Sequence, residues 1–173
     1  MSDLKRHIRD IPNFPKPGIV FKDITPLLAD ATAFRATVDR FVERYRGHVD
    51  VVLGIESRGF IIGAAAAYGL GTGLALVRKP GKLPARTYAA RYELEYGSDA
   101  LEIHHDAFAG PHRVLVLDDL LATGGTAAAA VELVQRCGGQ VVACAFVIEL
   151  GFLGGRRRLA GHEVFSLVEY DRP

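Results

Sequence analysis

Cysteine is scarce in this chain: Cys137 and Cys144 are the only two among 173 residues. Two thiols are too few for a disulfide framework or a cysteine-rich zinc site, so both are expected to be reduced and packed, as in a cytoplasmic protein. Charge of one sign is also missing, since 21 Lys and Arg against 20 Asp and Glu leave a net charge of +1. Without a strongly basic face there is no electrostatic footprint for nucleic acid. The opening "MSDLKRHIRD" has no apolar core that could serve as a secretory signal. Two familiar phosphate-loop sequences are absent as well. No G-x-x-x-x-G-K-[ST] occurs, and no G-x-G-x-x-G opens a helix after a strand. No internal repeat, low-complexity tract or linker interrupts the sequence, and its length suits one domain over residues 1–173.

Long apolar runs are nearly absent too. One uncharged stretch of 19 residues, "GFIIGAAAAYGLGTGLALV" from Gly59 to Val77, is about as long as a membrane span. Five of its residues are glycine, much of the rest is alanine, and "GLGTG" breaks it. It reads as a buried helix ending near Gly69 and a strand starting near Leu74, and no membrane span is expected.

What is present is an alternation of helices and strands. Phe34, Val38, Phe41, Val42 and Tyr45 recur at helical spacing, with Gly47 as a stop. "VDVVLGI" (Val49 to Ile55), "LALVR", "RVLVLDD", "QVVACAFVIE" and "EVFSLVEY" read as strands, and a helix is expected from about Gly125 to Arg136, closed by Gly138 and Gly139. "RYELEY" and "ALEIH" flank "GSD" and predict a hairpin. Buried strands without polar alternation, separated by helices, indicate an α/β fold: a mainly parallel sheet flanked by helices on both faces. Ligands of such sheets bind beyond the carboxyl ends of the strands. That rule gathers "ESRG", "RKPGK" and "DDLLATGGT" on one rim.

The last of these carries the most chemistry. In "VLVLDDLLATGGT" a buried strand runs into Asp118 and Asp119, and two neighbouring carboxylates disfavour each other's ionisation. The pair can bind Mg²⁺, accept hydrogen bonds from vicinal ribose hydroxyls, or form a solvated strand end. "ATGGT" can expose backbone N–H groups at a helix N-terminus, where an anion is stabilised, with Thr123 and Thr126 as added donors. Its plainer reading is a strand-to-helix turn with a threonine cap. Carboxylates beside a phosphate cradle suit a phosphorylated ribose, and Mg²⁺ would lessen their repulsion.

This motif resembles the phosphoribosyl diphosphate signature of the type I phosphoribosyltransferases, in the form found in their adenine-using branch. "FPKPGIVFKDITPLL", "ESRGF", "VRKPGKLP", "YELEYG" and "LEIHHDA" are similar to that family's other blocks and follow its order from about Ile11 to Tyr170. The resemblance implies a small N-terminal hood and a flexible β-hairpin flap on the parallel sheet. It implies transfer of 5-phosphoribosyl from phosphoribosyl diphosphate to adenine, giving AMP and pyrophosphate, with Mg²⁺ as cofactor, in a cytoplasmic homodimer. By the same resemblance, Ala122, Thr123, Gly124, Gly125 and Thr126 hold the 5-phosphate, and Asp118 and Asp119 hold the ribose hydroxyls. Ser57 and Arg58 meet the pyrophosphate, a role that suits a guanidinium's bidentate geometry. Arg78, Lys79 and Lys82 add charge there, although on their own they read as an ordinary basic loop. The base lies between Phe21 and Leu120, with backbone around Val20, Phe21 and Lys22 reading its edge. Without the resemblance Phe21 reads as core. Mg²⁺ is held mainly by substrate, with Asp118 or Asp119 as candidate protein ligands.

Relatives that use 6-oxopurines carry an aspartate where this chain has Ala122, so acid–base work must come from elsewhere. The family's match is Glu95 of "LEYG", with Tyr96 beside it. Glu102 of "LEIH" is the nearby rival, and the residues alone leave both open. Gly97 and the polar composition around it suggest a flap that closes over substrate. His104 and His105 point to opposite sides of a strand and make a poor metal pair. The basic "GGRRRLAGHE" reads as a solvated or subunit-contact face. Glu56 stands where the family often has aspartate, leaving the local turn open to adjustment. Two other activities are weighed: the same transfer to xanthine or guanine, which Ala122 and "LEYG" oppose, and a ligand-sensing regulator that binds DNA. The latter is opposed by the early start of the first block and the near-neutral charge.

Overall fold

The computed structural model describes residues 4–93, 98–108 and 110–173. After a 3-10 turn at Leu4–His7, strand β1 (Arg9–Pro12) pairs antiparallel with β2 (Val20–Asp23), bringing Ile11 opposite Phe21. This small ribbon is the hood. Asn13 Oδ1 accepts from Gly18 N (2.9 Å) and closes its connection. Helix α1 (Thr25–Ala29) leads into α2 (Ala31–Tyr45), whose first turn is capped by Asp30: its Oδ1 accepts from Ala33 N at 2.8 Å. Ala33, Thr37, Phe41, Val42 and Tyr45 form the buried stripe of α2, following its helical repeat.

The main sheet follows. Its strands are β3 (Val51–Ile55), β4 (Gly73–Val77), β7 (Arg113–Leu121), β8 (Gln140–Leu150) and β9 (Glu163–Tyr170). They lie in the order β4-β3-β7-β8-β9, and every neighbouring pair is parallel. Helix α3 (Arg58–Leu70) crosses from β3 to β4 and ends on left-handed Gly71, while α4 (Gly125–Arg136) crosses from β7 to β8. A separate hairpin, β5 (Thr87–Glu93) with β6 (Ser98–His104), packs against α4. Strand alternation divides the core into two apolar layers. Leu53, Ile55, Val114 and Val116 face α4 and the hairpin, whereas Val52, Leu115 and Leu117 face α2 and α3. Covering both faces explains why these strands read as unbroken apolar runs.

Most expected elements stand where the pattern put them; α4 and β9 match to the residue. The hairpin lies earlier than expected: β5 starts at Thr87 rather than Arg91, and Ser98 and Asp99, read as part of the turn, belong to β6 and pair with Glu93 and Tyr92. Two further boundaries differ for visible reasons. Strand β3 begins at Val51, after Asp50, because Asp50 turns aside to bind Arg113: Arg113 N and Nη2 donate to its two oxygens at 2.8 and 2.7 Å. Strand β7 continues two residues past Asp119, since Leu120 and Leu121 still pair with Ile148 and Glu149 of β8. Among the described residues no helix is long and apolar enough to cross a membrane.

Candidate active site

The carboxyl ends of β3, β4 and β7 meet at a cavity of about 440 Å³. Phe21 of the hood, Glu56, Ser57, Arg58, Lys79, Tyr92 and the run from Asp118 to Ala127 line it. One feature of β7 decides the geometry of the acids. The carboxyl end of the strand runs beneath the first turn of α3, so both acids meet that helix, Asp118 under Gly59 and Asp119 against Arg58. Asp118 Oδ1 accepts from Asp119 N (2.9 Å) and lies under the first turn of α3, where a Cβ on Gly59 would approach it to 2.7 Å. Asp119 is only 4% exposed, and Arg58 Nε sits 2.8 Å from its Oδ2. Burial pushes both carboxyls above their ordinary range. Asp118 is raised further by the charge of Asp119, whereas Arg58 partly offsets the rise at Asp119.

Residues 122–124 join β7 to α4. Gly124 stands at φ +83°, and no side chain caps the first turn of the helix. The threonine-cap reading of this turn therefore fails, and the hydroxyls of Thr123 and Thr126 are not spent on the helix end. The turn is also held from behind. A Cβ on Gly124 would come within 2.5 Å of the Gly155 carbonyl oxygen, and a Cβ on Gly155 would collide with the Ala122 carbonyl oxygen. Gly155 opens a 3-10 turn, Gly155–Leu159, between β8 and β9. Two backbones in direct contact thus make the floor of the turn.

The turn after β3 is tied to the turn after β4 through Glu56. Its Oε1 accepts from Arg78 Nη2 and its Oε2 from Lys79 N, both at 2.8 Å, and Arg78 holds this carboxyl below its usual range. Glutamate in place of aspartate gives the reach for this grip. Lys79 Nζ enters the cavity, donates to Tyr92 Oη (2.9 Å) and pairs with Asp99 of the hairpin. Arg58 lies over the Phe21 ring, 4.8 Å from its centroid, so the hood is joined to the same group that meets Asp119.

The expected site residues therefore divide. Phe21, Ser57, Arg58, Lys79, Asp118, Asp119, Leu120, Ala122, Thr123, Gly124, Gly125 and Thr126 share one cavity. Arg78 does not line it; its guanidinium serves Glu56 and the Lys82 carbonyl (Nη1 to O, 3.0 Å). Lys82 is exposed outside the lining. Lys22, one residue from Phe21 on a strand, points the other way: it is 3% exposed, 2.9 Å from Asp10 and over the Tyr170 ring. Val20 also lies outside the lining, so these two can contribute only backbone to the hood's edge. Glu95 and Tyr96 lie outside the described residues. Glu102, the rival, is engaged elsewhere, with Oε2 accepting from Gly81 N at 3.1 Å. No group of three or more metal-ligating side chains occurs among the described residues, His104 and His105 included.

Four contributors were not picked out from sequence: Glu56 as a grip, Tyr92 and Asp99 around Lys79, and Gly155 beneath the Ala122–Gly124 turn. Tyr92 stood in a hairpin already read as facing the cleft, and its alternation with Arg91 was an available signal. Gly155 had none, because its role is a contact with Ala122 and Gly124, far earlier in the chain.

Comparison with known proteins agrees with this geometry. A family model for the phosphoribosyl transferase domain matches residues 23–163. The adenine phosphoribosyltransferase of Syntrophotalea carbinolica is 61% identical over 171 residues, covering 98% of this chain and all of the relative. That of Chloroflexus aurantiacus is 59% identical over 170 residues, covering 98% of each. Among solved structures, the adenine phosphoribosyltransferase of Thermoanaerobacter pseudethanolicus superposes with a TM-score of 0.94 at 50% identity, covering 98% of this chain and 99% of the other. The Saccharomyces cerevisiae enzyme, solved with an imino-altritol bisphosphate and adenine, gives 0.90 at 40% identity, with 96% and 97% covered. A cleft built on one strand, its two acids and its glycine turn, in a chain matched end to end by these enzymes, places the protein in the phosphoribosyltransferase family, among the adenine phosphoribosyltransferases.

Proposed function

We propose that the cleft carries out adenine phosphoribosyl transfer with the following division of labour. The 5-phosphate sits on the turn Ala122–Thr126, where backbone N–H groups and the N-terminal dipole of α4 stabilise the dianion. Asp118 and Asp119 accept from the ribose hydroxyls. Ser57, Arg58 and Lys79 face the diphosphate, while Arg78 acts from behind by shaping the Glu56 grip. Adenine stacks between Phe21 and Leu120, with backbone of Val20, Phe21 and Lys22 along its edge. The observation that carries this reading is the single cavity shared by Phe21, Arg58 and the whole run from Asp118 to Thr126.

The C1–O bond to diphosphate breaks with its electron pair leaving on oxygen, and adenine N9 forms the new bond to C1 from the opposite face. Charge developing at C1 favours a cleft with buried carboxylates nearby. N9 must shed its proton, and Ala122 has no side chain able to help. Glu95, with Tyr96 beside it, serves as the acid–base group near N7 and N9. Mg²⁺ fits this donor set as a substrate-borne ion. Asp118 and Asp119 are buried with raised carboxyls, and Mg²⁺ characteristically keeps waters and phosphate oxygens alongside one or two carboxylates. When bound it neutralises charge on the leaving diphosphate.

We further read the chain as one domain over residues 1–173, working in the cytoplasm as a homodimer. An apolar patch supports the dimer: Ile61 and Tyr68 on α3, the latter 90% exposed, with Leu74 and Leu76 on edge strand β4. AMP and pyrophosphate formation with phosphoribosyl diphosphate and Mg²⁺, run with adenine, hypoxanthine, guanine and xanthine in parallel, tests the assignment. Turnover of adenine alone is expected. Turnover of a 6-oxopurine would overturn the reading of Ala122. Binding of phosphoribosyl diphosphate with no turnover of any base would point to a sensor.

A further inference from the structure

Glu149 is a charged side chain that the transfer does not use, yet it is only 4% exposed. It lies on β8 opposite Leu121, the last residue of β7 before the phosphate turn. Its Oε1 accepts from Arg156 Nε (2.6 Å) and its Oε2 from Ser166 Oγ (2.7 Å). Arg156 spends its remaining donors nearby: Nη1 on the Val164 carbonyl (2.9 Å) and Nη2 on Glu169 (3.0 Å). One guanidinium is thus fixed by β8 and β9 together. The residue before it is Gly155, whose backbone lies against Ala122 and Gly124.

We propose that Arg156 and Glu149 are positioning residues for the 5-phosphate turn, acting through Gly155. The inference rests on the reading that residues 122–126 hold the 5-phosphate. The turn is glycine-rich and has no side-chain cap, so it cannot fix its own shape. Rigidity must come from what lies beneath it. The 3-10 turn that lies there is short and weak on its own, and the Arg156 fork clamps it to the sheet. The fork's anchor is buried and doubly hydrogen-bonded, which suits a fixed support better than a surface ion pair.

Charge separates this role from simple attraction between Arg156 and a phosphate. Glu149→Gln removes a negative charge close to the cleft. If charge alone mattered, an anion would bind more tightly; if the carboxylate positions the turn, it binds less tightly. The experiment measures affinities of the full chain for ribose 5-phosphate and, separately, for inorganic pyrophosphate, together with Tm. Glu149→Gln and Arg156→Ala are each expected to weaken ribose 5-phosphate, Arg156→Ala by on the order of tenfold in affinity. Pyrophosphate affinity is expected to change less than about twofold, since Ser57 and Lys79 belong to other strands' ends. Arg156→Lys keeps the charge without the fork and falls between, and it serves where Arg156→Ala does not fold. Thr126→Ala separates the two levels of the argument. If it weakens ribose 5-phosphate but Glu149→Gln and Arg156→Ala (or Arg156→Lys in its place) do not, the positioning role is wrong and the phosphate site stands. If Thr126→Ala has no effect, the site reading fails and this inference falls with it. Equal weakening of both ligands, or tighter binding by Glu149→Gln, also overturns it.

Discussion

Replacing Gly155 by alanine puts one methyl group between two backbones. The added Cβ would run into the Ala122 carbonyl oxygen, and it would lie 3.0 Å from Leu121 Cδ1 and 3.1 Å from Gly124 N. Neither Ala122 O nor Gly124 N belongs to a side chain that can swing away. Relief requires the Ala122–Gly124 turn and the 3-10 turn to part by about 1 Å, a displacement that can lower turnover about a hundredfold when it misplaces a reacting group. That corresponds to about 2.7 kcal/mol of lost transition-state stabilisation. Overpacking at a buried contact costs about 1–3 kcal/mol of stability. At about 2–4 °C per kcal/mol for a chain of this size, Tm should fall by several degrees. The assay is kcat/KM for phosphoribosyl diphosphate and for adenine, beside a thermal melt. Gly151→Ala, where the added Cβ meets nothing closer than 3.6 Å, should leave both measurements unchanged. A Gly155→Ala protein with wild-type kcat/KM and Tm would refute the claim that this contact sets the turn.

Asp118→Asn should stabilise the unliganded protein while impairing activity. A carboxyl raised on folding binds more protons folded than unfolded, so its cost to stability appears as pH rises above the unfolded value and is complete above the folded one. At neutral pH the neutral amide escapes that cost, and the melt should rise by about 2–4 °C per kcal/mol relieved. A melt that falls would oppose the burial argument. Asp50 behaves oppositely: Arg113 holds its carboxyl down at about 2, so its contribution is present above the unfolded value and fades as pH drops from there toward 2. An NMR titration placing Asp50 near 4 would contradict this. Glu95→Gln should lower kcat by about 10²–10⁴, the usual contribution of a general acid or base, whereas Glu102→Gln should stay within a few-fold. Comparable losses in both would remove the distinction between them. Burial pushes the Cys144 thiol up to about 12, so it should resist alkylation in the native protein, read by mass spectrometry, and react once unfolded.

The parts legible in sequence share one property: their signals are local. The run from Val114 to Arg136 announces a strand, two acids, a glycine turn and a helix in consecutive residues, and the structure has all four in that order. Phe21 required the family resemblance, because a phenylalanine on a short strand gives no sign of which face it presents. Lys22 shows the limit from the other side. Its backbone was expected at the base's edge, and nothing in the sequence showed that its side chain turns away to Asp10. Arg78 entered through the resemblance, since alone it reads as part of a basic loop, and only the fold shows Glu56 as its partner. Gly155 and Glu149 act through contacts between segments far apart in the chain, where no periodicity or motif reports them.

Strand β7 has a metric consequence. Asp119 and Ala122 are three residues apart on one stretch of backbone, and extended chain advances by about 3.3 Å per residue. On the proposed reading, the separation between the groups that meet sugar hydroxyls and those that meet the phosphate is set by backbone, the end of a central strand and a turn supported at Gly155, and not by flexible side chains. On that reading the cleft is a ruler cut for a five-carbon sugar phosphate. A sugar one carbon longer would then seat its hydroxyls or its phosphate, but not both, and would be discriminated against by length before any single contact is consulted.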